Sequence, residues 1–292
     1  MVGAVMRTAA IMVLLGGAAL AQAPAANYDE AKVPAYMLPP LLVMNDGTAV
    51  SGAAGWEARR AEIRTLLEAQ MFGRAPGRPD DLTFAVDDLD KAALGGTAIR
   101  KQVSIRTRGL TFRLLVYLPA NASGPVPVFA GLGFLPNQSV HADPGITLAG
   151  AWAQNRETKA IELQPAQEAS RGSAASRWQV ETLLARGFGL ATMYYGDIEP
   201  DLAGAMKRGV RGTYLKPGQD APAEAEWGAI AAWAWGLSRM ADYLETDTQV
   251  DARRLALVGH SRLGKTALWA GAMDTRFGVV VSNDSGEGGA AI

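Results

Sequence analysis

The sequence predicts an α/β protein built on a mostly parallel sheet, and three observations carry that expectation. From Val126 onward, short apolar runs alternate with helical patterns, the signature of parallel crossovers. The runs Leu255–Val258 and Phe277–Ser282 flank a helical stretch, Arg262–Met273, so that strand, helix and strand succeed one another directly. The chain has 292 residues, 49% of them hydrophobic. That is enough for one large domain of this class, which routinely reaches roughly 250 residues.

Arg7 is the only charge in the first 23 residues, and thirteen uncharged residues run from Ala9 to Ala21. With small residues at Ala21 and Ala23, residues 1–23 read as a secretory signal peptide, too short to span a bilayer. The mature chain is then residues 24–292, with export to the periplasm or the medium and no membrane attachment after cleavage. Pro24–Ala54 lacks periodicity and reads as an extended surface lead-in. Trp56–Met71 reads as an amphipathic helix, with Trp56, Ile63, Leu66, Leu67 and Met71 on one side, closed by Gly73 and Pro76. Leu82–Val86, Ala98–Ile105 and Leu110–Tyr117 are β-type runs, the last two joined through Arg108-Gly109, which suits an antiparallel start to the sheet.

Val126–Ala130 is the next strand, running into Gly131-Leu132-Gly133-Phe134. Pro144–Ser176 reads as loop or weak helix, Val180–Leu184 as a helix and Phe188–Tyr195 as a strand. Glu224–Glu245 is the longest helical pattern. Its Trp227, Trp233 and Trp235 are expected in the core rather than on a sugar-stacking face, because the helix is apolar on nearly every side.

Composition narrows the function classes. There are 28 basic and 29 acidic residues; losing Arg7 with the leader leaves a net charge of −2, and no basic block tracks a phosphate backbone. Nucleic acid is therefore not an expected partner. The absence of cysteine excludes disulfides and thiolate metal sites. Only two histidines, His141 and His260, are present.

The chemistry concentrates at Gly259-His260-Ser261-Arg262-Leu263-Gly264-Lys265, between a strand and a helix. A glycine ahead of a serine at such a junction allows the sharp turn of a nucleophile elbow, which raises the hydroxyl above the sheet at a helix N-terminus. The usual pattern has a small residue two positions after the serine. Here Leu263 stands there and Gly264 comes one later. A serine that merely caps the helix is the alternative. Asp284 comes just after the next strand, on the same sheet edge, where it could orient a histidine; an Asp-Ser-Gly turn explains it equally well. Arg262 and Lys265 put two cations on the first turn of the helix, against its dipole. They suit an anionic ligand or oxyanion, or are simply solvated.

The string Gly259-x-Ser261-Arg262-x-Gly264-Lys265 resembles the signature of the glucuronoyl esterases, carbohydrate esterase family fifteen. Asn27–Val33, Gly73–Pro76, Tyr195–Ile198 and Ser285–Ala291 resemble bacterial members in the same order. The resemblance implies an α/β-hydrolase, a three-layer sandwich without metal or cofactor. Its implied reaction is cleavage of 4-O-methyl-glucuronoyl esters that join glucuronoxylan to lignin alcohols. It also implies roles: Ser261 as nucleophile, Arg262 at the oxyanion, Lys265 on sugar hydroxyls and Asp284 as the triad acid, with a later acid as the alternative.

Two departures modify this. Gly133 and Gln138 stand where the family often has Asn and His, which implies an altered loop. The family pattern also continues past Ile292 with strands that carry the catalytic histidine, so residues 24–292 are expected to be an incomplete hydrolase domain, inactive as given. His260 is expected to project away from the Ser261 hydroxyl and His141 to be an ordinary loop residue. An acetyl xylan esterase and a non-catalytic carbohydrate-binding fragment are the other readings. A sheet that ends at Phe277–Ser282 would leave that strand as an apolar edge.

Overall fold

The computed structural model describes residues 28–290, so the expected leader, residues 1–23, lies outside the described residues. The chain divides into two units, one ending at Leu41 and the other beginning at Leu42. In the first, the described part holds a single helical turn, Glu30–Lys32, whose start is capped by the Asp29 carboxylate accepting from the Ala31 N–H at 3.1 Å.

The described residues of the second unit form nine strands: β1 Thr83–Ala92, β2 Ala98–Thr107, β3 Leu110–Pro119, β4 Val126–Gly133, β5 Ala151–Gln154, β6 Ile161–Gln164, β7 Gly189–Tyr194, β8 Val250–His260 and β9 Phe277–Asn283. Its main helices are α1 Gly52–Leu67, α2 Val180–Ala185, α3 Ala229–Leu244 and α4 Arg262–Met273. Seven strands form one sheet in the order β1-β2-β3-β7-β4-β8-β9. The first three pairings are antiparallel and the last three parallel, so β2, β7, β4, β8 and β9 all run one way. This is the mostly parallel α/β sheet expected. The β2–β3 turn places Arg108 (φ 51°) and Gly109 (φ 76°) in the left-handed region, as a two-residue hairpin requires.

Alternation along the strands separates two cores. Phe112, Leu114, Val116 and Leu118 of β3 join Leu255 and Leu257 of β8 under α3 and α4, while Leu115 and Tyr117 face Val180 and Leu184 of α2 with Val140 and Ile146. The three tryptophans belong to the first core, Trp233 being 1% exposed, as expected. Among the described residues the second helical layer covers β3 and β7, whereas Val258 of β8 and Val279 and Val281 of β9 remain 36–56% exposed.

Three elements differ from expectation. The first helix begins earlier, at Gly52, and ends in a wider turn, Glu68–Phe72. Of its expected apolar side, Trp56, Leu66 and Met71 stay exposed, and Phe72 instead stacks on Trp269 at 4.5 Å. Helix α3 starts at Ala229 rather than Glu224, because the preceding backbone is already engaged: Arg74 N–H donates to Ala225 and Gly228 N–H to Phe72. The segment Pro144–Ser176 is not merely loop. It holds the hairpin β5–β6, paired from Ala151–Gln164 to Gln154–Ile161.

Candidate active site

The parallel strands β4, β7, β8 and β9 end together, and the residues just past their C-terminal ends build the site: Phe134 after β4, Tyr195–Asp201 after β7, Ser261 after β8 and Asp284 after β9. In open α/β sheets this C-terminal edge is where ligands bind.

Ser261 sits at φ 55°, ψ −130°, a conformation costly for a residue with a side chain. Its backbone is over-determined. The N–H donates to the Asn283 carbonyl at 2.9 Å, and its carbonyl accepts from Gly264 at 2.8 Å and Lys265 at 3.2 Å. The hydroxyl makes no capping bond to the helix it precedes, which removes the helix-cap explanation and leaves the strained elbow. Glycines make the turn possible. A Cβ on Gly259 would lie 2.0 Å from the Leu263 carbonyl oxygen, and one on Gly264 about 3.0–3.2 Å from Ser285, Ser282 and Asn283. The close approach of α4 to β9 thus falls three residues after the serine, which is why Leu263, buried at 2%, can occupy the position that is usually small.

Arg262 is not simply solvated. Its Nη1 donates to the Asp201 carboxylate, and its guanidinium carbon lies 5.5 Å from the centre of the Phe134 ring. Lys265 is half-buried, and among the described residues its ammonium has no hydrogen-bonded or ionic partner. Asp284 is exposed with φ 48°; no described group donates to its carboxylate. The backbone contact from Ser261 to Asn283 sets Asp284 beside the elbow.

The histidines fall elsewhere. His141 accepts the Asp143 N–H on Nδ1 at 3.0 Å, and its Nε2 meets Glu181 at 2.7 Å. The pair lines a groove of about 1310 Å³ with Pro125, Val126, Gly187 and Phe188, which lie at the starts of β4 and β7. His141 is therefore at the edge opposite Ser261. His260 Nδ1 meets the Asn283 side chain at 3.0 Å, and the ring lines a cleft of about 730 Å³ with Phe134, Trp178 and Val258 on the sheet face away from α4. Among the described residues no hydrogen bond joins either histidine to Ser261.

Two buried carboxylates support this edge. Burial pushes the Asp197 carboxyl upward, opposed by Arg113, whose Nη1 donates to it at 2.9 Å. Burial likewise raises Glu199, which is fully buried and held by Arg211 through Nε at 2.9 Å. Burial also raises Tyr195, with the charge of Arg262 opposing it. Sequence reasoning missed Asp201, Glu199 and the partnership with Phe134. The one usable signal was position, since Glu199-Pro200-Asp201 comes shortly after a strand that ends at the same sheet edge as Ser261. Gln138, expected to mark an altered loop, is buried and ties that loop together through Ala149 at 2.9 Å and Ser170 at 3.2 Å.

Comparison with known proteins places this geometry. Residues 221–292 match a family model described as glucuronyl esterase, fungi. The solved glucuronoyl esterase from Solibacter usitatus is 52% identical, superposes with a TM-score of 0.84, and is covered over 67% of its length by 90% of this chain. A carbohydrate esterase from an unknown prokaryotic organism is 49% identical over 271 residues, which are 91% of this chain and 62% of that protein. The 4-O-methyl-glucuronoyl methylesterase of Neurospora crassa is 26% identical over 270 residues, 91% of this chain and 53% of the fungal protein. The chain thus spans just over half to about three-fifths of the length of these two curated relatives. It has the α/β-hydrolase fold and belongs to the glucuronoyl esterase family.

Proposed function

We propose that the chain carries the nucleophile and oxyanion machinery of a serine esterase that cleaves 4-O-methyl-glucuronoyl esters of glucuronoxylan with lignin alcohols. The observation that carries this reading is the strained Ser261 at the C-terminal edge, its hydroxyl free of the helix it precedes. Ser261 attacks the ester carbonyl and a histidine base takes its proton. The carbonyl oxygen becomes an oxyanion, met by the Arg262 guanidinium and by its backbone N–H, one of the first-turn donors that an α-helix leaves without an intrahelical partner. Lys265, whose ammonium has no partner among the described residues, reaches hydroxyls of the uronic sugar, and Asp284 orients the histidine. The composition of residues 1–23 supports an exported protein that acts in the periplasm or outside the cell. No metal or cofactor takes part in these steps.

Since no described histidine is bonded to Ser261, this chain is expected to hydrolyse benzyl glucuronate no faster than its Ser261→Ala variant. A serine triad without its base keeps only roughly 10³–10⁴-fold over water. Added imidazole should then restore slow turnover in the parent chain and none in Ser261→Ala. Imidazole-dependent release of acetate from acetylated xylan, with no cleavage of the glucuronate ester, would instead establish an acetyl esterase. Binding of glucuronoxylan with no rescue at all would favour a carbohydrate-binding protein.

A further inference from the structure

The segment after β7 does more than connect. Glu199 is completely buried, its carbonyl accepts from the Trp233 indole at 2.8 Å, and its carboxylate takes Arg211 Nε at 2.9 Å and Nη2 at 2.8 Å. A backbone pinned at Glu199 from two sides fixes the residue two positions on, Asp201. Asp201 is bonded to Arg262, whose guanidinium also faces the Phe134 ring. Phe134 packs edge-on against Tyr195 at 5.7 Å between ring centres, and Tyr195 lies 5.2 Å from Trp233. Trp233 thus bonds the backbone two residues before Asp201 and packs on Tyr195, the ring against which Phe134 rests.

We propose that Asp201 is the positioning residue for Arg262, holding its guanidinium between the carboxylate and the Phe134 face. A guanidinium has five N–H donors in a planar fork. Asp201 engages Nη1, and among the described residues Nε and Nη2 have no protein acceptor. The fork is therefore fixed by one arm while its other donors stay available for an anion. An unrestrained arginine would have to give up its rotamer freedom on meeting the oxyanion; one already ordered loses less, which is preorganisation. The inference rests on the role proposed for Arg262, but its test reads the guanidinium and not turnover, so the two can fail separately.

The test is arginine modification by phenylglyoxal, with peptide mass spectrometry on the intact chain as readout and the exposed Arg156 as internal reference. In the parent chain Arg262 should react more slowly than Arg156. Asp201→Asn should accelerate Arg262 roughly two- to fivefold, as release of a partly exposed ion pair allows, and leave Arg156 unchanged. Asp201→Glu, which keeps the carboxylate, should remain within about twofold of the parent. Equal rates for Arg262 and Arg156 in the parent would overturn the proposal without recourse to any variant. So would an unchanged Arg262 rate in Asp201→Asn, or an acceleration by Asp201→Glu as large as that by Asp201→Asn.

Discussion

Gly259 shows how one side chain's absence fixes the elbow. Its φ is unremarkable, so backbone freedom is not what requires it; the requirement is space, since a Cβ there would lie 2.0 Å from the Leu263 carbonyl oxygen. That carbonyl belongs to the first turn of α4 and cannot move without shifting Ser261. Gly259→Ala is therefore expected to cost at least about 1–3 kcal/mol, the range for overpacking a close contact, read as a lower urea midpoint. An Ala at Gly187, where nothing lies within 4 Å but φ is 78°, tests strain without crowding and should cost less, about 1 kcal/mol. At this scale the sequence is readable where partners are neighbours in the chain. Strand, glycine, serine and helix are contiguous, so the elbow could be recognised, and its one-residue offset has a cause in Gly264 against β9. The grip of Asp201 on Arg262 spans 61 residues and depends on two loops meeting, which no local pattern encodes.

Elements were legible in proportion to their burial. Strands with alternating or wholly apolar faces, such as β3 and β8, announce themselves because each residue's side is decided by the core. The hairpin β5–β6 has four residues per strand and none of them is buried, so its pattern carries no comparable signal. The link from β2 and β3 to the loop after β4 is polar. Arg100, 5% exposed, donates to Asp143 at 2.7 Å, and the Tyr117 hydroxyl donates to the same carboxylate oxygen at 2.6 Å. Burial raises the Asp143 carboxyl, but the bonds from Tyr117, Arg100 and the Gly145 N–H together outweigh it and hold the group below the ordinary carboxylate value. A lowered value in the folded state means that the stabilisation is present above the unfolded value, about pH 4, and is lost as pH falls through the lower folded one. Urea midpoints should drop from about pH 5 to pH 3, and Asp143→Asn should flatten that dependence. Asp143→Ala should cost about 3 kcal/mol at neutral pH, the lower end for breaking a buried pair, because Asp88 still accepts from Arg100 at 3.1 Å.

The whole molecule is asymmetric at its two sheet edges. β1 is the edge at one side, and it carries Asp87, Asp88, Asp90 and Lys91 in a strand whose register shifts between Val86 and Asp88, both devices that discourage pairing with another chain. β9 is the edge at the other side among the described residues; its register against β8 also shifts, with Gly278 left out between Phe277 and Val279, but it has none of the charges of β1. From Phe277 to Asn283 it bears no charge, and Val279 and Val281 are 56% and 43% exposed beside Val258 at 36%. An uncharged β-branched edge next to an uncovered apolar face offers both free backbone groups and surface whose burial stabilises at about 25 cal/mol per Å². Self-association through β9 is the expected outcome for this chain alone. Light scattering after size exclusion should show mass rising with concentration over about 1–100 μM, the range in which such edges associate. The paired substitution Val279→Lys and Val281→Lys puts two like charges on the exposed side of the strand, leaving Phe277 and Val280 against the core. It should return the chain to monomer with little change in its melting temperature, since neither valine is buried in the core. A parent chain that remains monodisperse and monomeric across that range would show that the edge is shielded in solution. A lysine pair that associates as the parent does would move the contact away from β9.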